Sequence, residues 1–558
     1  MKQEVYVAQL KQLNGFRGVK GPVLVVVMDG IGIGVNPDPF NAVVNSHRPT
    51  ITAIENRGLN FSLLAHGTHV GLPDDELMGN SEVGHNALGA GALINQGATQ
   101  VQDLIKSGKF GESPVLQEII GHVRERGSAL HLIGLLQRER SVHAHTDHLK
   151  AIVDAAAQGG ANRIYVHGLT DGRDDPEGSA IDTVRDIEDF LKSHETGERV
   201  CMMASGGGRM VMTMDRYWAD PEMLKTGWET HVKGIGRQFE SGVRAVEAYY
   251  RESGNGSDQY CFPFVIARDG QPVGRIKDGD AVIFFNYRGD RAKEISKAFE
   301  DEEFTFFDRG AKPDVIYAGL LSYDPDENVP SRYIVQPPDI KGTMGELLAG
   351  EGISQLALSE TQKYGHVTYF WNGNRAEKFD EKSETYIEIT SDPVPEFKFK
   401  PWMKAAEIAS RTVEEIRRGT FRFGRINFAN GDMVGHTGDY ASAATAVSAV
   451  DLGLHWILPA IEAAGGALIV TADHGNAEEM VEHDSKGNVK YGKNGVAKVK
   501  TSHTTNPVPC MVYAPGLKIS AAESKSPLTI RNVAATAFNL LGYEAPVYMD
   551  PSLIRIEG

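Results

Sequence analysis

An α/β protein with mostly parallel sheets is what this 558-residue sequence predicts, and three observations carry the prediction. Short β-branched runs alternate with amphipathic helical patterns along most of the chain. The runs are apolar at consecutive positions, as in strands buried on both faces. Three of them lead into an aspartate with a glycine one or two residues away, at the end where open α/β sheets present ligand-binding groups.

In chain order, VLVVVM (23–28), ALHLIGLL (129–136), RIYVHG (163–168), AVIFFN (281–286), RINFAN (425–430) and ALIVTA (467–472) read as buried strands. HLKAIVDAAAQ (148–158), AIDTVRDIEDFLKS (180–193), KAAEIASRTVEEIRR (404–418) and IRNVAATAFNLLG (530–542) carry apolar residues at helical spacing. A Pro- and Asp-rich stretch at 322–339 reads as loop or linker, and the polar, lysine-bearing stretch at 482–503 as a surface excursion. No internal repeat and no low-complexity tract interrupts the pattern.

Composition narrows the function. With 74 acidic against 57 basic side chains the chain carries a net charge of −17, which disfavours a nucleic-acid partner. Three scattered cysteines, Cys201, Cys261 and Cys510, suit a reducing compartment and no disulfide scaffold. The opening MKQEVYVAQLKQLNGFRG is too polar for a signal peptide, and Val23 to Met28 is too short to span a bilayer. The expectation is a soluble, cytoplasmic protein without a membrane partner. The 61 glycines exceed the usual share of roughly 7 %, and many flank the motifs below.

VLVVVMDGIG places Asp29 after a strand, INFANGDMVGH places Asp432 after another with His436 four residues on, and ALIVTADHGN places Asp473 and His474 after a third. His503 precedes a Pro-flanked segment in TSHTTNPVP. A single aspartate in such a place is commonly a helix cap or Asx-turn. Three, with adjacent imidazoles, suit Mn²⁺, Zn²⁺ or Mg²⁺, and with Ser81 of GNSEVGH they suffice for two neighbouring ions. Ser81 itself is either a cap or turn residue, or a nucleophile made reactive by a metal. In the middle of the chain, Arg173 and Asp174 (LTDGRDDPEG), Arg209 and Arg216 (GGGRMVMTMDRY), and Arg288 and Arg291 (IFFNYRGDRAKEI) fall in turn-like, mostly glycine-rich contexts. Arginine's planar fork binds phosphate or carboxylate in bidentate fashion. Because the Asp/His groups lie toward both ends and the arginines lie between, one domain inserted into another, with the site in the cleft, is the expected organisation.

Two rival motifs are weaker. HAHTDH (143–148) fits the H-x-H-x-D-H pattern of metallo-β-lactamase-like hydrolases, but no ordered series of further ligands follows it. G-x-S-x-G fails because the second glycine, Gly84, comes one residue late.

Taken together, MDGIGIG, GLPDDELMGNSEVGHNALGAG, GLLQRERSVHAHTDHL, DGRDDP, NYRGDRA, SETQKYGHVTYFWNG, NGDMVGHTG, TADHGNAEEM and TSHTTNPVP resemble the cofactor-independent (2,3-bisphosphoglycerate-independent) phosphoglycerate mutases, over nearly the whole chain and in the family's order. The resemblance implies an alkaline-phosphatase-like domain, 1–96 with 338–558, and a phosphotransferase domain inserted at 99–335. It implies an isomerase of glycolysis and gluconeogenesis that interconverts 3- and 2-phosphoglycerate through a phosphoserine on Ser81. Asp432, His436 and His503 would bind one divalent ion, most fittingly Mn²⁺, with Mg²⁺, Co²⁺ or Zn²⁺ as alternatives. Asp29, Ser81, Asp473 and His474 would bind the second. His143, Arg173, Asp174, Arg209, Arg216, Arg288, Arg291 and Lys363 would contact substrate, with Asp174 moving protons and Lys363 compensating phosphoryl charge. A monomer is implied, with Pro337 and Pro338 beside Asp339 at a hinge. A metal-dependent phosphatase or a phosphopentomutase-like enzyme is the alternative. QRERSVHAH in place of a glycine pair, a wider arginine spacing in GRMVMTMDR, and the long stretch between His474 and His503 are more similar to the plant and trypanosomatid form than to the shorter bacterial one.

Overall fold

The computed structural model describes residues 10–34, 38–72, 75–138, 143–173, 175–215, 218, 220–254, 256–324, 327–338, 340–393, 396–484, 487–492 and 495–557. Asp174, Arg216 and Asp339 lie outside the described residues. The chain divides into two compact units, Met1–Gln96 with Pro337–Gly558, and Gly97–Gln336.

The first unit is built on a seven-stranded sheet. Its spatial order is Glu384–Ile389, Gln355–Glu360, Phe423–Phe428, Val23–Met28, Ala467–Thr471, Val508–Tyr513, Leu59–Leu63. The first five run parallel, with Val27 opposite both Asn427 and Thr471, and the last two pairings are antiparallel. Val23–Met28 is buried at every position because neighbours flank it on both sides and helices cover both faces. The long helix Tyr440–Ala464 packs against Ala405–Arg418 and Pro49–Arg57. It is long and apolar enough to cross a membrane by composition alone. Half of it is buried in this unit, however, and its Asp451 accepts the Ile51 N–H at 2.7 Å, as befits a core helix.

The second unit has its own sheet, in the order Ile316–Gly319, Ala281–Phe284, Leu130–Leu135, Arg163–Thr170, Val200–Gly208, Phe264–Arg268, Arg237–Phe239. Its first five strands are parallel. The expected strands and helices are all present, with ends moved by one or two residues in most cases. The expected strand 425–430 runs Phe423–Phe428, because Asn430 already begins the short helix Asn430–Gly435 that carries Asp432. The expected excursion at 482–503 is not featureless: Val481 pairs with Val499, His483 with Val489, and Tyr491 with Ala497 as isolated bridges.

Candidate metal centre

Four neighbouring parallel strands of the first unit deliver their following residues to one end of the sheet. Val23–Met28 delivers Asp29, Phe423–Phe428 delivers Asp432, Ala467–Thr471 delivers Asp473 and His474, and Gln355–Glu360 leads into the helix Thr361–Gly365 that carries Lys363. Ser81 comes from elsewhere. It opens the helix Ser81–Ala90, where Asn80 rather than Ser81 serves as cap, its side chain accepting the Val83 N–H at 2.9 Å. This relieves Ser81 of any capping duty and frees its hydroxyl for the site. Glycine permits the approach: a Cβ on Gly84 would lie 2.8 Å from Asp473 Cβ.

The hydroxyl is buried among polar groups. Ser81 Oγ lies 2.5 Å from Lys363 Nζ, 2.9 Å from His474 Nε2 and 3.3 Å from Asp29 Oδ1. Lys363 Nζ also reaches Asp432 Oδ2 at 2.8 Å and Asp29 Oδ1 at 3.3 Å. Beside this group, His436 Nε2 and His503 Nε2 stand 3.1 and 3.0 Å from Asp432 Oδ1 and 3.1 Å from each other. The rings of His474 and His503 stack with centroids 3.9 Å apart. The structure therefore gathers Asp29, Ser81, Lys363, Asp432, His436, Asp473, His474 and His503 in one place.

The donor set fits divalent cations. His436 Nδ1 faces the Thr501 carbonyl at 2.7 Å and His503 Nδ1 the Gly79 carbonyl at 2.9 Å. Carbonyls accept, so the hydrogen of each neutral ring sits on Nδ1, and both Nε2 lone pairs point at each other and at a carboxylate oxygen. Such a group is stable around a cation. Asp473 Oδ2, fully buried, has His85 Nδ1 at 3.3 Å but accepts no aligned hydrogen bond. Among the described residues, three groups of side chains have donor atoms close enough to share an ion: Asp432, His436 and His503; Asp29, Asp432 and His474; and Asp29, His85 and Asp473. Oxygen and imidazole donors of this kind suit Mn²⁺, Co²⁺, Zn²⁺ or Mg²⁺.

Titration follows the same charges. Burial, then the nearby Asp473 carboxylate, pushes Asp29 up to about 6. Burial also opposes ionisation of Asp432, but Lys363, His436 and His503 outweigh it and hold the group well below the usual carboxylate range. Asp473 is lowered likewise, with His474 and His85 overcoming burial. His436 and His474 are raised despite burial, by Asp432 and by the three carboxylates respectively. His503 is pushed down to about 4 by burial and by His474.

His85 and Asn427 belong to this arrangement and are not among the site residues expected from the sequence. Asn427 Nδ2 donates to Asp29 Oδ2 at 2.7 Å and lies 3.1 Å from His85 Nε2, while His85 Nδ1 meets the Ser81 carbonyl at 2.8 Å. The spacing Ser81 to His85, one helical turn, was a usable signal. Glu478, also buried, braces the loop by accepting the N–H groups of Gly32 and Asn476 at 3.0 and 2.8 Å.

The remaining expected residues that the structure describes, His143, Arg173, Arg209, Arg288 and Arg291, lie in the second unit, beyond the carboxyl ends of four adjacent parallel strands. Arg209 is buried and ion-paired with Asp171. Arg291 Nη1 donates to the Met214 carbonyl at 2.5 Å. The His143 carbonyl accepts from the N–H groups of Tyr287 and Arg288 at 2.8 and 3.3 Å, and Arg173 is exposed. The rival HAHTDH reading fails here: among the described residues these histidines form no metal-binding group, and His145 instead caps Thr146–Gln158 through the Asp147 N–H.

Comparison with known proteins agrees with this chemistry. The Metalloenzyme superfamily matches residues 21–545. A protein of Leptospira interrogans named probable 2,3-bisphosphoglycerate-independent phosphoglycerate mutase is 45 % identical over 98 % of this chain and 100 % of its own length. The mutases of that name from Trypanosoma brucei brucei and Arabidopsis thaliana are each 45 % identical over 96 % of this chain, and over 97 % and 96 % of their own lengths. The structure of Leishmania mexicana phosphoglycerate mutase at low cobalt concentration is 44 % identical, covering 99 % of this chain and 100 % of its own with a TM-score of 0.65. A metal-ready cluster around a buried serine, with relatives of this identity along its full length, leaves one conclusion: the chain belongs to the 2,3-bisphosphoglycerate-independent phosphoglycerate mutases.

Proposed function

We propose that this chain interconverts 3-phosphoglycerate and 2-phosphoglycerate as an intramolecular phosphotransferase, with Ser81 carrying the phosphoryl group between the two hydroxyls. The observation that supports it most is the convergence of Lys363 Nζ, His474 Nε2 and Asp29 Oδ1 on one buried hydroxyl oxygen. Asp432, His436 and His503 would hold one divalent ion, and Asp29, Ser81, Asp473 and His474 a second, with Mn²⁺ the best match. Bound there, the ions lower the hydroxyl's pKa and neutralise charge on the transferring oxygens.

The chain's own residues supply the rest. Ser81 Oγ, ionised before substrate binds, attacks phosphorus in line as the alkoxide and is released as the alkoxide, so that only Asp174 exchanges protons with the glycerate oxygens. The Oγ–P bond forms as the substrate O–P bond breaks, and Asp174 gives the leaving glycerate oxygen a proton. The glycerate is retained by arginine, with Arg209, Arg288 and Arg291 binding carboxylate or phosphate in bidentate fashion, and with His143, Arg173 and Arg216 as further contacts. Its other hydroxyl then attacks the phosphoserine, returning a proton to Asp174 and releasing Ser81. Lys363, within hydrogen-bond reach of Oγ, steadies the oxygen as it gains and loses charge. Water must stay out between the two transfers, because hydrolysis of the phosphoserine would make the protein a phosphatase. The three reduced cysteines suit a cytoplasmic enzyme, and we propose a monomer.

Supplying 3-phosphoglycerate and Mn²⁺ without bisphosphoglycerate tests this reading. 2-Phosphoglycerate is expected, while accumulation of free phosphate alone would support the phosphatase alternative. Ser81→Ala is expected to abolish both turnover and any labelled phosphoenzyme, and mutase activity surviving that change would refute the assignment.

A further inference from the structure

Three histidines cross the core of the second unit in a single hydrogen-bonded chain that the mechanism above does not use. Asp280 Oδ2 meets His131 Nε2 at 3.2 Å, His131 Nδ1 meets His167 Nε2 at 3.0 Å, and His167 Nδ1 meets Ser205 Oγ at 2.7 Å. Ser205 Oγ then meets His231 Nδ1 at 2.8 Å, and His231 Nε2 meets Thr213 Oγ1 at 2.9 Å. All six residues are buried. A register shift between Val166 and His167 sets His167 opposite Ser205 instead of Ala204, which closes the middle link.

The chain has one direction. Burial above all keeps the three imidazoles neutral, so each ring donates from one nitrogen and accepts at the other. The Asp280 carboxylate, which also accepts the Ala129 and Lys277 N–H groups at 2.8 Å, forces His131 to donate from Nε2. His131 Nδ1 must then accept from His167 Nε2, and His167 Nδ1 from the Ser205 hydroxyl. Ser205 Oγ in turn accepts from His231 Nδ1, and His231 Nε2 is left to accept the Thr213 hydroxyl proton.

Thr213 is an unusual place for such a chain to end. Its φ is +68°, and the Met214 N–H reaches back to the Met212 carbonyl at 2.7 Å. These are the marks of the rare, strained γ-turn of positive φ, which a β-branched residue resists. The turn is held on one side by the Thr213 N–H to the Met223 carbonyl at 3.0 Å, and Gly227 makes room for the hydroxyl. The next carbonyl, of Met214, is the one that accepts from Arg291, and Arg209 opens the same loop.

We infer that Thr213 is a positioning residue for this loop: Asp280, acting through His131, His167, Ser205 and His231, fixes its hydroxyl, and the turn so held aims the Met214 carbonyl at Arg291. The inference rests on the reading of Arg291 as a substrate-holding group.

Thr213→Val keeps the shape and removes only the hydroxyl. It is expected to raise KM for 3-phosphoglycerate about tenfold with little change in kcat, while Thr213→Ser stays near the parent value. Arg291→Ala separates the two readings. If it raises KM and Thr213→Val does not, the positioning role is wrong. If neither does, the arginine reading fails and the positioning role with it. Imidazole ¹⁵N NMR of the parent protein at neutral pH tests the chain without any variant. Protons are expected on Nε2 of His131 and His167 and on Nδ1 of His231, and the opposite tautomer or an imidazolium at any of the three overturns the proposal.

Discussion

Lys363 is the residue whose placement says most about the site. Its ammonium sits against Ser81 Oγ, Asp29 and Asp432, and so shares carboxylates with any cation bound beside it. Removing that charge with Lys363→Met separates two roles. Mutase activity is expected to fall about 100-fold or more, the scale of losing one charged group that faces a transition state. Mn²⁺ affinity should hold or rise, because a competitor for Asp29 and Asp432 has gone. Calorimetric titration with Mn²⁺ beside a coupled assay checks this, and a matching loss of affinity would show that Lys363 builds the pocket instead. His85 makes the complementary point. It touches the Ser81 carbonyl and lies near Asp473 Oδ2, so its contribution is to orient groups that do the chemistry.

At the scale of elements, strand ends and helix starts place the chemistry, and buried polar residues between strands set conditions on it. The π-helical turn His366–Phe370 directly follows the Lys363 helix. There the fully buried Arg425 donates from Nε to the Val367 carbonyl at 2.6 Å, satisfying a group that the wider turn exposes. In the second unit, His131 and His167 on neighbouring strands and His231 at the end of the helix Pro221–His231 all have pKa values lowered by burial, His231 to about 3. The unfolded chain binds a proton at each near pH 6.5, and the folded unit binds them only at lower pH. These groups therefore cost nothing above that pH and oppose folding increasingly as pH falls below it. His231, with its folded value at about 3, is expected to remove about 2 kcal/mol of stability by pH 5, counted at 1.36 kcal/mol per pH unit. Denaturant titrations of His231→Gln and the parent at pH 7.5 and pH 5 check the sign: the variant should lose less on acidification, and an equal loss would contradict the assignment of a neutral buried ring.

For the whole molecule, metal, protons and sequence meet at one centre. His436 and His474 have raised pKa values in the ion-free protein, so both hold protons to higher pH than free histidine. Stability from those protonated pairs is complete below the unfolded pKa and fades as pH rises through the raised folded values. A divalent ion must displace the same protons, so Mn²⁺ binding at pH 7 is expected to release protons and to weaken as pH falls. Calorimetry in buffers of different ionisation enthalpy measures the release, and a heat independent of buffer would count against it. Most of the secondary structure was legible because buried strands and amphipathic helices differ in period, and the motif aspartates were legible because strand ends are marked by glycine. His85, Asn427, Glu478 and the Asp280–Thr213 chain were not, since single polar residues inside apolar runs carry no periodic signal. The sequence by itself determined the α/β class with mostly parallel strands and offered the acidic and imidazole side chains that the strand ends carry, because local periodicity and residue chemistry are properties of the chain. Only the tertiary structure decided that Ser81 stands within hydrogen-bond reach of His474 and Lys363, residues hundreds of positions away. Strand order and register, which bring distant ends of the chain together, are settled by packing across the sheet and leave no mark on any one segment.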